Sequence, residues 1–357
     1  MDRFMELALR LARKADPFPN PKVGAVLVKE GKVIGVGYHK APGKPHAEIE
    51  AIHDAKRRTR NPDAPCGATL YVTLEPCSHS MKRTPPCTDA IISCGITKVV
   101  YGMDDPNPLV SGATVLRKAG VETRGPAAKK KAAELNKRYI EDVRRKPFVA
   151  IKVAMSADGK TATRTGDSRW ISGRKSRELV HKMRTEYDAV MVGAGTVIAD
   201  DPQLTSHGKG RDPYRIIVDG KLKTPLGAKV IGKDRKIIIA ACEGASRRKA
   251  RLLSRNAQVF LSGKRKVDLK KLVHALGALG MKKIVIEGGG ELNAEALEAG
   301  IVDRLSIFIA PKIIGGKEAR GVFGGVGAER IKDSVKLKKV KERRIGEDLL
   351  LEYDLIR

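Results

Sequence analysis

Short β-prone runs alternate with amphipathic helical runs along this chain, and the alternation occurs in two separate halves. Strands that alternate with helices are typical of an α/β fold. A strongly basic, helix-prone stretch from Ala127 to Lys146 separates the halves and ends at Pro147. We therefore expect two α/β domains, residues 1–125 and 148–357, joined by a basic helical linker over residues 126–147.

The apolar spacing predicts the individual elements. In the first half, helices are expected over 3–14, from 46, over 88–94 and over 112–119, with strands over 24–29, 32–37, 69–73 and 98–102. In the second half, strands are expected over 148–155, 189–192, 215–219, 236–241, 258–261, 283–287 and 305–311, with helices over 176–186, 268–279 and 293–299. The tail over 348–355 alternates like an edge strand.

Composition excludes several classes of protein. The 357 residues are 41% hydrophobic and 31% charged, which is typical of a core-forming chain and not of a disordered or collagen-like one. No stretch approaches the roughly 18 to 20 uncharged apolar residues of a membrane span, and the charged amphipathic start is unlike a signal peptide. We expect a cytoplasmic protein without a membrane partner.

The charge is strongly positive, because 70 Lys and Arg face 41 Asp and Glu, which gives 70 − 41 = +29. Such a surplus raises the question of nucleic-acid binding. The basic residues are spread along the chain, however, and aromatic residues for base stacking make up only 4%. We expect no nucleic-acid partner, and a field that favours anionic small substrates.

Five cysteines are present, and four of them, Cys66, Cys77, Cys87 and Cys94, lie in one short region while Cys242 stands alone. A disulfide framework is not expected in a chain of this size and location. We expect Cys66 and Cys94 to be buried core thiols.

His46 and Glu48 open a predicted helix after a Pro/Gly turn, Cys77 follows Pro76, and Cys87 immediately precedes another helix. One imidazole and two thiolates can hold zinc and leave a fourth position for water, which is typical of a catalytic zinc. Glu48 could then carry the proton of that water to a leaving nitrogen. A His-x-Glu sequence followed by Pro-Cys is the signature of zinc-dependent nucleobase deaminases, in which the glutamate does not bind the metal.

A glycine-rich turn, Gly288-Gly289-Gly290, connects a strand to a helix in the second half. Glycines there let backbone N–H groups approach phosphate oxygens, and the helix dipole favours their negative charge. The turn lacks the dinucleotide-binding G-x-G-x-x-G pattern.

Longer motifs of the first half resemble the bifunctional riboflavin-biosynthesis deaminase/reductase family. They are Asn20-Pro21-Lys22-Val23-Gly24, Gly37-Tyr38-His39, the long Pro76-Cys77 to Arg83-Thr84-Pro85-Pro86-Cys87 loop, and Asp104-Asp105-Pro106-Asn107-Pro108. The loop is one residue longer than is usual in the family. The resemblance implies a cytidine-deaminase-like three-layer sandwich. It also implies substrate binding by Asn20, His39, His79 and Arg83.

Three ordered motifs of the second half resemble the dihydrofolate-reductase-like domain of the same family. They are Ser156-Ala157-Asp158-Gly159-Lys160-Thr161, the run from Gly193 to Thr205, and Glu287-Gly288-Gly289-Gly290-Glu291-Leu292. The resemblance implies NADPH contacts at Ala154, Trp170, Thr196, Asp200, Gly289, Gly290, Glu291, Leu292, Asn293, Ala294 and Glu295. It implies substrate contacts at Ser168, Arg184, Leu204 and Glu287, with Lys152 in the cleft and Lys152, Asp200 and Glu287 in catalytic roles. His207 stands where the family commonly has Arg, and Arg211 is a second candidate for that phosphate contact.

The resemblance implies a two-step enzyme that uses Zn²⁺ and NADPH. It would deaminate 2,5-diamino-6-ribosylaminopyrimidinone 5′-phosphate and then reduce its ribosyl group to ribityl, as a homo-oligomer that pairs through the reductase domain. Two alternatives stay open at this point. One is a tRNA-type zinc deaminase whose basic second half binds RNA, and the other is a non-catalytic phosphometabolite-binding protein.

Overall fold

The computed structural model describes residues 2–78, 85–232, 234 and 236–356. The chain divides into two compact units, Met1–Arg145 with Gly277–Leu279, and Lys146–Leu276 with Gly280–Arg357. Within the described residues, no helix has the length and apolar character that crossing a membrane requires.

The first unit is built on a five-stranded sheet of order β2-β1-β3-β4-β5, in which β2, β1 and β3 pair antiparallel and β3, β4 and β5 pair parallel. The strands are β1 (Gly24–Lys29), β2 (Lys32–Tyr38), β3 (Thr69–Val72), β4 (Lys98–Tyr101) and β5 (Glu122–Arg124). The helices are α1 (Arg3–Ala12), α2 (Ala47–Thr59), α3 (Cys87–Ser93), α4 (Gly112–Lys118), α5 (Lys129–Leu135) and α6 (Lys137–Arg144).

Two glycines show how helices cover both faces of this sheet. A Cβ atom at Gly24 would lie 2.1 Å from the carbonyl oxygen of Ala8 in α1, and one at Gly37 would lie 2.3 Å from that of Ala47 in α2. Gly37 pairs with Ala25, the residue after Gly24, so the two glycines face opposite sides of the sheet. The first unit is therefore a three-layer sandwich, as predicted.

The basic stretch predicted as one connecting helix is two helices, α5 and α6. They are separated at Asn136, whose φ of −110° lies outside the helical range. Ala132, Tyr139 and Val143 on these helices are buried in the hydrophobic core of the first unit. The high content of Lys and Arg reflects the exposed side of a segment whose other side is packed.

The second unit contains a nine-stranded sheet of order β10-β9-β8-β7-β11-β6-β12-β14-β13. Its strands are β6 (Phe148–Ser156), β7 (Ala189–Gly193), β8 (Tyr214–Val218), β9 (Ile237–Ala241), β10 (Gln258–Leu261), β11 (Lys283–Ile286), β12 (Arg304–Ala310), β13 (Leu337–Ile345) and β14 (Asp348–Leu355). Its α-helices are α7 (Arg174–Arg184), α8 (Ala194–Asp200), α9 (Arg247–Leu253), α10 (Leu269–Ala278) and α11 (Gly290–Glu298), and a 3₁₀ turn covers Ile331–Asp333.

The strands from β10 to β12 all run parallel, and β14 and β13 complete the sheet in antiparallel pairing. The central strands β7, β9 and β11 are nearly continuous apolar runs because helices or loops cover both of their faces. In such a sheet, ligand sites form beyond the carboxyl ends of the strands. Glu287, directly after β11, lies at this position.

Two predictions were wrong, one about the position of a strand and one about the burial of a cysteine. The tail strand β14 is not at the edge, because β13 pairs on its outer side. The sequence gives no sign of β13, since this strand is mostly exposed and basic and lacks an apolar alternation. Cys66 is exposed rather than buried, whereas Cys94 is half-buried against the core.

Candidate active sites

His46, Cys77 and Cys87 meet at the amino ends of two helices. His46 precedes α2, Cys77 lies in the loop after β3, and Cys87 is the first residue of α3. The Nδ1 atom of His46 is 3.1 Å from the Sγ of Cys87 and 3.5 Å from the Sγ of Cys77. All three ligand atoms lie within 4.8 Å of one another.

This donor set fits zinc. Bonds of 2.0 to 2.3 Å in a tetrahedral arrangement separate nitrogen and sulfur ligands by about 3.6 Å. The two thiols share a hydrogen bond, which lowers the pKa of Cys77 to about 3 and raises that of Cys87. Cys77 is therefore the sulfur that more readily takes the thiolate form that binds metals. Three protein ligands leave one tetrahedral position for water or substrate.

Glu48 lies beside these ligands in the first turn of α2 and is only 4% exposed. Burial raises the pKa of its carboxyl group, although the nearby imidazole of His46 opposes the shift. A carboxyl group with a raised pKa holds a proton more readily than an exposed one, as a group that accepts a proton from water and passes it on must do. Its position and its protonation chemistry therefore suit a proton carrier.

Asn20 and His39 line the same cavity as His46 and Glu48, which we call the His46 cavity. The Nδ1 atom of His39 is 3.0 Å from the carbonyl oxygen of Pro45 and must donate a proton to it. The Nε2 atom of His39 then accepts a hydrogen bond from Nδ2 of Asn20 at 2.9 Å. This chain of bonds fixes the imidazole tautomer and the orientation of the Asn20 amide.

In the second unit, one cavity is lined by ten of the residues that the sequence associates with substrate or cofactor. We call it the Arg184 cavity. Its predicted lining residues are Lys152, Ala154, Ser168, Trp170, Arg184, Thr196, Asp200, Leu204, His207 and Glu287. Trp170 is 62% exposed in the wall of this cavity and is not a core residue.

A buried ion cluster forms the floor of the Arg184 cavity. Arg184 donates two hydrogen bonds to Glu287, from Nε to Oε1 at 2.8 Å and from Nη2 to Oε2 at 3.1 Å. Lys152 Nζ lies 3.7 Å from Oε2 of Glu287. Burial alone would raise the pKa of Glu287, but the charges of Arg184 and Lys152 outweigh burial and hold that pKa at about 2.

Burial lowers the pKa of Lys152, and the carboxylate of Glu287 offsets this only in part. The reason is that Arg184 already neutralises Glu287 and repels the ammonium group of Lys152. Lys152 is therefore a cation that releases its proton more readily than an exposed lysine.

A second cavity, the Gly289 cavity, adjoins the Arg184 cavity, since Thr161, Ser168, Thr196, Asp200 and Glu287 line both. Residues 288–292 form one of its walls at the amino end of α11. A Cβ atom at Gly289 would approach only Thr196 Oγ1, at 3.5 Å, so this wall has space beside it. A helix amino end and an open glycine turn fit the phosphates of a dinucleotide.

Comparisons with known proteins agree over the full chain. The family model of the RibD C-terminal domain matches residues 147–351, and that of the cytidine and deoxycytidylate deaminase zinc-binding region matches residues 1–103. The riboflavin biosynthesis protein RibD of Aquifex aeolicus is 42% identical over 98% of this chain and 96% of its own length. The chain belongs to the RibD family. The RibD of Escherichia coli is 34% identical over 98% of this chain and 97% of its own length.

Solved RibD structures have the same fold. A structure of Acinetobacter baumannii RibD matches with a TM-score of 0.54 and 32% identity, over 99% of this chain and 98% of that one. A deaminase/reductase from Thermotoga maritima matches with a TM-score of 0.53 and 36% identity, over the same shares of the two chains. The predicted family, fold class and zinc and NADPH cofactors are confirmed, and the RNA-deaminase and non-catalytic alternatives are not favoured.

Not every residue that the RibD resemblance associates with ligands lines a cavity. His79 and Arg83 lie outside the described residues. Asn293 is fully buried and its amide donates to the carbonyl oxygen of Val322 at 3.0 Å. Ala294 is buried, and Glu295 pairs with Lys266 at 3.4 Å. These three residues follow the first turn of α11, whose rotation turns them away from the Gly289 cavity.

His207 lines the Arg184 cavity and its ring stacks on that of His181 with centroids 4.1 Å apart. Arg211, the other candidate for this contact, instead pairs with Asp188 at 2.8 Å. Sequence reasoning missed His181, although it lies three residues before Arg184 on α7 and so shares a helix face with it.

Sequence reasoning also missed Glu75 and Asp105, which line the His46 cavity. Glu75 directly precedes the Pro76-Cys77 motif, and Asp105 belongs to a RibD motif to which no role was given. Their places in those motifs were signals that they contribute to the site. In the second unit, Arg320, Gly321, Phe323 and Gly324 line the Gly289 cavity without any prior sequence signal.

Proposed function

We propose that this RibD chain deaminates 2,5-diamino-6-ribosylaminopyrimidinone 5′-phosphate and then reduces its ribosyl group to ribityl with NADPH. One observation in each unit carries the proposal. The first unit has an open three-ligand metal set beside a buried glutamate whose pKa is raised, and the second has a fixed Arg184–Glu287–Lys152 cluster where two cavities meet.

For the deamination, we assign metal binding to His46, Cys77 and Cys87. Zinc, when bound, supplies the Lewis acidity that makes water nucleophilic near neutral pH. Glu48 takes the proton of the attacking water and delivers it to the leaving amino group, so that ammonia departs. Asn20 and His39 orient the pyrimidine ring through their fixed hydrogen-bonding edges. His79 and Arg83 keep their predicted role at the phosphate end of the substrate.

For the reduction, NADPH supplies the hydride. We assign its binding to the Gly289 cavity, with Thr196 and Asp200 in the wall that both cavities share. Ala154 and Trp170, which line the adjoining Arg184 cavity, keep their predicted NADPH contacts. Arg184, Ser168, Leu204 and His207 bind the substrate, and Glu287 holds Arg184 in place. The ribosyl ring first opens: the bond between its C1′ carbon and the ring oxygen breaks, the N–H proton moves to that oxygen, and a C=N bond is left. The hydride then adds to C1′, and Lys152 supplies the proton that the nitrogen of the C=N bond gains. Among the predicted NADPH contacts beyond Leu292, we assign Asn293, Ala294 and Glu295 only to the packing of α11.

The remaining expectations continue as proposals. Residues 1–125 carry the deaminase, residues 148–357 carry the reductase, and the helical segment 126–147 joins them. The spread of basic charge supports an enzyme of the cytoplasm that binds anionic metabolites and no nucleic acid. A homodimer through the reductase domain is also proposed, which light scattering of the purified protein tests.

Stepwise product analysis tests the proposed function. The protein is mixed with the diaminopyrimidine substrate, first without NADPH and then with it. Without NADPH, we expect release of one ammonia per substrate. When NADPH is then added to the deaminated product, we expect consumption of one NADPH per substrate. Ammonia release that depends on NADPH, or no ammonia release at all, would contradict the proposed order.

A further inference from the structure

A segment of the first unit lies outside both family models. Residues 104–146 follow the matched deaminase region, which ends at 103, and precede the matched reductase region, which begins at 147. This segment contains α4, α5 and α6, and it is also the source of Asp105 in the wall of the His46 cavity. The segment is therefore more than a tether between two catalytic domains.

Asn136, at the break between α5 and α6, bonds the backbone of the loop that carries Asn20. Its Oδ1 accepts from the backbone N–H of Lys22 at 2.8 Å, and its Nδ2 donates to the carbonyl oxygen of Lys22 at 3.0 Å. Asn136 is 2% exposed, so water does not compete for these bonds. Both backbone groups of Lys22 are thus fixed two residues from Asn20, which bonds His39 in the cavity.

Tyr139, one turn further along on α6, bonds the other side of the cavity. Its hydroxyl donates to Oδ1 of Asp105 at 2.9 Å, and the backbone N–H of Asn107 donates to the same oxygen at 2.9 Å. Tyr139 is 9% exposed. Burial, together with the charge of Asp105, raises the pKa of Tyr139, so its hydroxyl keeps the proton that it donates.

We propose that Asn136 and Tyr139 are positioning residues of the deaminase, which hold the Asn20 loop and Asp105 in the shape that binds the aminopyrimidine. This inference rests on the proposed deaminase function. It gives α6 a definite part in the first reaction, although this helix lies beyond the region that defines the zinc-binding family. Neither residue is among those that line the His46 cavity, so each acts through the residue that it holds.

The two activities of one chain provide the test. Tyr139→Phe removes only the hydroxyl and keeps the packed ring, and Asn136→Ala removes both bonds to Lys22. Each full-length variant is assayed for deamination, for reduction of the separately supplied deaminated intermediate, for zinc content and for melting temperature. Tyr71→Phe is the matched control, since Tyr71 in β3 loses the same atom from a ring that packs on Phe4.

We expect Tyr139→Phe to raise the deaminase KM about fivefold, with kcat within about twofold, and Asn136→Ala to lower deaminase kcat/KM by at least about tenfold. Reduction, zinc content and the Tyr71→Phe control should match the parent. If the Asn136→Ala variant does not fold, the deaminase KM of Tyr139→Phe alone tests the inference.

Unchanged deaminase KM in Tyr139→Phe would overturn the inference while leaving the proposed function intact. A parallel loss of both activities together with a lower melting temperature would also overturn it, because that pattern indicates a general loss of stability. If the unaltered protein releases no ammonia, the proposed function fails first and this inference fails with it.

Discussion

Two glutamates, one in each unit, are largely hidden from solvent, and their pKa values are shifted in opposite directions. Burial among His46 and the two cysteines raises the pKa of Glu48. At Glu287, the charges of Arg184 and Lys152 overcome the same effect of burial and hold the pKa at about 2. The comparison teaches that burial alone does not decide the role of a carboxyl group. At Glu48 burial prevails over the opposing charge of His46, which suits a proton carrier, whereas at Glu287 two cations prevail over burial and keep the group an anion.

The two sites also differ in how the chain assembles them. The His46 cavity is formed by loops and helix amino ends, and its metal ligands come from short motifs. The Arg184 cavity lies beyond the carboxyl ends of parallel strands, and its ion cluster joins α7 to the end of β11. Perturbations should therefore affect one activity without the other, and the following predictions use that separation.

Metal removal should have the largest effect. Treatment with a chelator should lower deamination by more than about a thousandfold, because the nucleophilic water needs the metal. Reduction of the deaminated intermediate should stay within about twofold, since the described part of the second unit contains no comparable group of metal ligands. Both rates and the zinc content are measured, and re-addition of zinc should restore deamination. Loss of both activities on chelation would contradict the claim that only the first unit depends on a metal.

Glu287→Gln should lower the kcat/KM of reduction by about a hundredfold. The change leaves Arg184 and Lys152 buried together without their counter-ion, so the substrate-binding guanidinium loses its fixed orientation. Deamination should be unchanged, and the exposed Glu318→Gln is the matched control. Steady-state kinetics of both reactions provide the measurement. A reductase that keeps its full kcat/KM would show that the ion cluster serves only the fold.

The pKa of Glu287 also predicts how acid affects stability. A carboxyl group with a pKa of about 2 when folded and 4.5 when unfolded stabilises the fold above pH 4.5, and this contribution is lost as the pH falls toward 2. The shift corresponds to about 3 kcal/mol. The difference in unfolding free energy between the parent and Glu287→Gln should therefore narrow by that amount between pH 5 and pH 2. Denaturant titrations that follow the unfolding of the second unit measure this difference at each pH. A difference that does not change with pH would refute the low pKa of Glu287.

A side chain at Gly289 should have the smallest effect. Gly289→Val adds bulk beside Thr196 without backbone strain, because the φ of Gly289 is −74°. We expect the Kd of NADPH to rise about tenfold, a loss of ~1.4 kcal/mol of binding free energy, with deamination unchanged. Fluorescence titration with NADPH checks this, and Gly244→Val on the exposed surface is the control. Unaltered NADPH affinity would show that the cofactor does not bind beside this turn.

Sequence alone indicated that His46, Glu48, Cys77 and Cys87 belong together, as the structure places them, because they occur in compact motifs whose spacing follows from the chemistry of zinc. It also predicted the central strands, because strands buried on both faces are apolar throughout. It could not predict β13, whose pairing depends on backbone hydrogen bonds and not on side-chain hydrophobicity.

Long-range pairings were also hidden. Arg184 and Glu287 were both expected to contact substrate, but their mutual bond spans 103 positions and no local pattern encodes it. Asn136 and Lys22 are 114 positions apart, and Asn136 lies within a run that otherwise predicts an uninterrupted helix. Such contacts depend on how elements pack, which periodicity does not specify.

The most direct test of the contrast between the two glutamates is Glu48→Gln, which keeps the shape of the side chain and removes its ability to carry a proton. Deamination, reduction and zinc content are measured on one preparation of the full chain. We predict that deaminase kcat falls by about a hundredfold to ten-thousandfold, with zinc content and reductase kcat/KM equal to those of the parent. Deamination at the parental rate with zinc still bound would contradict the account.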